Sequence, residues 1–108
     1  MTYLFGVAIM IGITMLWMRL RGTLIPSTGF AVLHGIFAVV ALVIIIATVA
    51  DGGARSTHLA AAMILFSIAT LGGLILFLGY HIRKRPLPLA LMWAHGILAL
   101  IAFFWMVT

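Results

Sequence analysis

Four long apolar stretches divide the chain, separated by short polar patches. The first covers about residues 2–18 and ends at Arg19-Leu20-Arg21-Gly22. The second follows Pro26-Ser27-Thr28 and covers about 29–50. The third covers about 58–80 and runs into His81-Ile82-Arg83-Lys84-Arg85, and the fourth follows Pro86-Leu87-Pro88 and covers about 88–107. Crossing the hydrocarbon takes roughly 20 apolar residues, within a range of about 17–25, so all four are long enough, the first being the shortest. Only helices and closed barrels satisfy their own backbone polar groups in lipid, and uninterrupted apolar runs lack the alternation of barrel strands. The pattern therefore predicts an all-α membrane protein with four transmembrane helices. The boundaries agree. Pro26 and Pro88 stand near helix starts, where a missing N–H costs little. Ser27 or Thr28 is expected to cap the second helix, and Ser56 or Thr57 the third. Asp51-Gly52-Gly53 is expected to stop the second.

Composition sharpens the class. Of the 108 residues, 67% are hydrophobic and 6% charged, with a mean hydropathy of +1.40. A soluble domain carries about 25% charged residues, so this chain could not cover a surface facing water. A net charge of +5 could suggest a nucleic-acid partner, but the basic residues all sit in connections or at helix ends, where cytoplasmic positive charge sets orientation. The expected partner is the lipid bilayer, not nucleic acid. Arg19 and Arg21 follow the first apolar run and no charged side chain precedes it, so it reads as a membrane span rather than a cleaved leader. Arg19 and Arg21 mark the first connection as cytoplasmic, and Arg83, Lys84 and Arg85 the third. Asp51 and Arg55 cancel in the middle one. Both termini are then expected outside the cytoplasm, in a membrane such as the bacterial inner membrane.

The chain also repeats itself. His34-Gly35-Ile36-Phe37-Ala38-Val39-Val40-Ala41 is echoed by His95-Gly96-Ile97-Leu98-Ala99-Leu100-Ile101-Ala102. An internal repeat over about 1–50 and 58–108 implies two tandem helical hairpins in the same orientation, related by a pseudo-twofold axis along the membrane normal, as in parallel-repeat transporters. His34 and His95 each lie about two turns inside their helices, roughly 10 Å from the cytoplasmic end at 1.5 Å per residue. At equal depth on facing helices, the two imidazoles could meet at one metal ion. As neutral nitrogen ligands of a six-coordinate haem iron they would avoid placing charge in lipid.

The neighbouring positions extend this reading. Residues i+4 and i+7 share the face of i, which puts Ala38 and Ala41 beside His34, and Ala99 and Ala102 beside His95. Small residues there would leave clearance for a flat macrocycle, and they equally suit close helix packing. Arg19, Arg21 and Arg85 lie at the membrane face nearest the histidines and could pair with haem propionates, Arg being the better bidentate partner.

These His-Gly-Ile-Leu helices resemble those of the transmembrane ascorbate-dependent cytochromes b, in which paired helix histidines ligate haem b. They are also similar to the haem-bearing membrane anchors of quinone oxidoreductases, which bring one histidine from each of two helices. The resemblance implies His34 and His95 as axial ligands of one haem b. The ascorbate-dependent family holds two haems on four histidines, and this chain has no second buried pair, so it could hold one haem at most. A small electron-transfer subunit follows as the expectation, rather than an enzyme on its own. It would pass electrons between quinone and a partner redox subunit, or act within a homo-oligomer. The competing expectation is a structural accessory subunit of a larger respiratory or photosynthetic complex.

Other chemistries are missing. Asp51, the only acid, lies outside the spans, so the intramembrane glutamate of small multidrug exporters has no counterpart and no hydrolytic triad can assemble. Cysteine is absent, which removes disulfides, thiolate metal sites and cysteine nucleophiles. His58 and His81 read as interfacial residues at the two ends of the third span. Gly72, Gly73, Gly79 and Ala69 read as close-packing positions. Trp17, Trp93 and Trp105 read as interface anchors.

Overall fold

A computed structural model describes residues 1–108. It is all-helical, with α1 (Thr2–Leu20), α2 (Thr28–Ala50), α3 (Ser56–Leu76, continued by a π-helical turn over Phe77–His81) and α4 (Leu89–Val107). All four helices are long and apolar enough to cross a membrane. The long dimension of 45 Å matches a bilayer of about 40–45 Å including its headgroup regions. Only 15 of the 108 residues are buried, and large apolar side chains such as Ile36, Val43, Ile64, Leu71 and Phe104 stand on the outside. Such a surface is stable only where lipid is the solvent.

Each helix packs on two neighbours: α1 and α3 both touch α2 and α4. The four therefore form a ring with α1 diagonal to α3 and α2 diagonal to α4. The turns joining α1 to α2 and α3 to α4 lie at the same end. There Leu87 N–H donates to the Leu24 carbonyl at 3.2 Å, and Arg19 Nε donates to the Leu87 carbonyl at 3.0 Å. At the opposite end Arg55 donates to the Met106 carbonyl. His58 and Trp105 stack there and exchange two hydrogen bonds, His58 Nε2–H to the Trp105 carbonyl and Trp105 Nε1–H to the His58 carbonyl.

The helix ends depart from the expected caps. No hydroxyl caps α2 or α3: Ser27 and Arg55 are the N-caps and neither makes a side-chain capping bond. The Thr28 hydroxyl instead shares a 3.1 Å hydrogen bond with His81 Nε2. That tie leaves His81 only 6% exposed, so it is a buried link between α2 and α3 rather than an interfacial side chain. At the C-terminal ends, Asp51-Gly52 stops α2 as expected, with Gly52 at φ +71°. Gly22, at φ +103°, closes α1 with Thr23 N–H on the Met18 carbonyl and its own N–H on the Arg19 carbonyl, the pair of bonds of a Schellman motif. The third helix ends with the same two bonds, but Lys84 holds the left-handed position at φ 55°.

Candidate cofactor site

Packing inside the bundle is divided. One buried cluster fills the half nearer the termini, from Phe5, Ala41, Ile45, Leu59, Ala62, Phe66, Ala102 and Met106. The Phe5 and Phe66 rings stack across the α1–α3 diagonal at 3.7 Å. A smaller cluster of Leu76, Leu87 and Met92 closes the other end. Between the two, the only apolar side chains that are buried are the methyls of Ala8 and Ala69. His34 and His95 occupy this layer.

Their rings approach across the other diagonal, from α2 and α4, with centroids 6.0 Å apart and planes at 74°. Each is oriented by the helix beside it. His34 Nδ1–H donates to the Ala8 carbonyl at 2.6 Å, and His95 Nδ1–H donates to the Ala69 carbonyl at 2.7 Å, each bond spanning 26 residues. A carbonyl can only accept, so the proton sits on Nδ1 and the Nε2 lone pair of each ring is left available. Gly12 and Gly73 make room for these positions: a Cβ at Gly12 would lie 3.0 Å from His34 Cε1, and one at Gly73 3.0 Å from His95 Cε1.

The pair can be tested against a haem. Two imidazoles on opposite sides of one ion, with metal–nitrogen bonds of about 2 Å, would have centroids about 6 Å apart, so the 6.0 Å separation is compatible with a shared ion. Histidine ligands characteristically donate the other ring nitrogen to a carbonyl or carboxylate, and the Nδ1 bonds of His34 and His95 have that form. No group of three or more His, Asp or Glu side chains gathers anywhere in the chain. Two protein donors leave most of a bare ion's coordination unfilled, whereas a porphyrin brings its own four nitrogens. The donor set fits a haem better than a free metal.

Ala41 and Ala102 are fully buried within the larger cluster, where their small size brings helices together. Ala38 and Ala99 are half-buried and belong to neither cluster. Arg19 is tied through Nε to the Leu87 carbonyl. Arg21 lies over the Trp17 ring at 5.0 Å and Arg85 over Tyr80 at 4.9 Å. Arg85 also reaches the Gly79 carbonyl. Ala8, Gly12 and Phe5 were not legible as site-forming residues until the structure placed them. The signal was present, because Phe5, Ala8, Gly12, His34 and Ala41 recur at unchanged spacing as Phe66, Ala69, Gly73, His95 and Ala102. The chain matches no family model, no curated protein and no solved structure.

Proposed function

We propose that the chain is a small b-type cytochrome subunit of the membrane, holding one haem b between His34 and His95. The observation that carries this reading is the pair of rings 6.0 Å apart, each with Nδ1 committed to a backbone carbonyl. When bound, the haem supplies one-electron redox chemistry. The protein's residues do the rest. Ala8 and Ala69 fix the tautomer and aim of the two ligands. Gly12 and Gly73 keep the adjoining helix surfaces flat, and the Phe5–Phe66 stack with Ile45 and Met106 excludes water from the terminal side. Arg19 stands about two turns beyond Gly12, some 10 Å along α1. Its terminal nitrogens make no hydrogen bond within the chain, so it is better placed for a propionate than Arg21 or Arg85, which lie over aromatic rings.

Two tandem hairpins related by a pseudo-twofold axis along the membrane normal account for the matched bonds and matched glycines. In this reading the basic connections face the cytoplasm and both termini face away from it, as in a bacterial inner membrane. The electron partners would be quinone and another membrane redox subunit.

Purification in mild detergent from haem-replete cells, followed by oxidised and reduced absorption spectra, tests the reading. One low-spin b haem per chain is expected, lost in His34→Ala and in His95→Ala while both variants keep their helical circular dichroism. A colourless wild-type protein that co-purifies with a larger complex would overturn it in favour of the structural accessory subunit.

A further inference from the structure

Basic side chains gather at the end of α3, yet they are not equivalent. Arg19 and Arg55 bind backbone carbonyls, Arg21 covers Trp17, and Arg85 covers Tyr80 while reaching the Gly79 carbonyl. Arg83 alone among the arginines has neither a hydrogen bond nor an aromatic partner within the chain. It stands at one end of a shallow, open groove along the outer face of α3, formed by Leu71, Leu74, Ile75, Leu78 and Gly79 of that helix alone. The groove runs along the helix from Leu71 to Arg83, about 18 Å at 1.5 Å per residue. That is close to the depth of one leaflet, about half of a 30 Å hydrocarbon core.

Two local features shape it. The π-turn over Phe77–His81, with Ile82 N–H bonded to the Phe77 carbonyl, interrupts α-helical geometry beside Arg83, and such turns often mark functional positions. Gly79 lies within the turn, and a Cβ there would meet nothing within 4 Å. Gly79 therefore leaves this stretch of the helix face open and without a side chain.

We propose that this groove is a binding site for one anionic phospholipid, its phosphate paired with the Arg83 guanidinium and one acyl chain lying over Gly79 against Leu71, Leu74, Ile75 and Leu78. The charge and the chain-shaped apolar surface suit the same amphiphile. A zwitterionic lipid would set its own ammonium against an unpaired guanidinium. Arg also offers the planar fork that phosphate oxygens accept. This site stands apart from the histidine layer and does not rest on the haem reading.

Native mass spectrometry of the detergent-released protein, titrated with phosphatidylglycerol or phosphatidylcholine, tests it. The expected result is one tightly held phosphatidylglycerol per chain. Its binding should weaken about tenfold in Arg83→Gln, as for loss of a charge-assisted hydrogen bond. Gly79→Leu should weaken it comparably by filling that open stretch, Arg83→Lys should retain part of it, and Lys84→Gln should change it far less. The proposal is overturned if the two lipids bind alike. It is overturned equally if Lys84→Gln matches Arg83→Gln while Gly79→Leu does nothing, which would mean diffuse attraction to basic charge. A stable dimer whose dissociation alone frees the groove would assign the surface to a second copy of the chain.

Discussion

A methyl group added at Gly12 or at Gly73 has to displace a histidine ring, because each would stand 3.0 Å from a Cε1 atom. Gly12→Ala and Gly73→Ala are each expected to cost about 1–3 kcal/mol through overpacking, measured by thermal unfolding in detergent, and to lower haem content at the same time. Gly35→Ala is the matched control. Nothing lies within 4 Å of the added carbon, and replacing a mid-helix glycine should stabilise by about 0.5–1 kcal/mol. His34 and His95 were legible in the sequence because they sit in a repeated eight-residue phrase. The residues that orient them were not, since a carbonyl acceptor such as that of Ala8 has no side-chain signature. Ala41 and Ala102 show a related limit: helical spacing puts them on the histidine side, and packing then seals them into the neighbouring cluster.

Helices were the easier level to read. Long apolar runs fix their existence, and the glycines after α1 and α2 fix two of their ends. Capping was harder to anticipate, because a hydroxyl near a helix start has more than one possible partner. Thr28 bonds His81 rather than its own helix, a contact that depends on how α3 ends. The π-turn there leaves Lys84 in a left-handed conformation that glycine adopts more easily. Lys84→Gly is expected to raise stability by about 1 kcal/mol, visible as a higher unfolding midpoint. On the α1–α3 diagonal, Phe5→Ala or Phe66→Ala removes half of a buried stack and should cost about 3–5 kcal/mol. The double variant should cost less than the sum of the two, because the rings are each other's partner.

At the scale of the whole molecule, both short turns are joined at one end through Arg19, Leu24 and Leu87, while Arg55, His58 and Trp105 tie the other. The chain has no cysteine, so single introduced thiols report orientation directly. On the proposed orientation, with the basic turns cytoplasmic, Gly53→Cys should react with an impermeant reagent on intact cells, and Thr23→Cys only after the membrane is opened. The reverse labelling would invert the orientation.

The histidine pair is tested most directly by the electron paramagnetic resonance of the oxidised, purified protein. Imidazole planes close to perpendicular, as the 74° angle requires, give a strongly anisotropic low-spin ferric signal. One such centre per chain is expected, absent from His34→Ala and from His95→Ala. A high-spin signal, or no haem iron in a well-folded wild-type protein, would contradict ligation by the two rings.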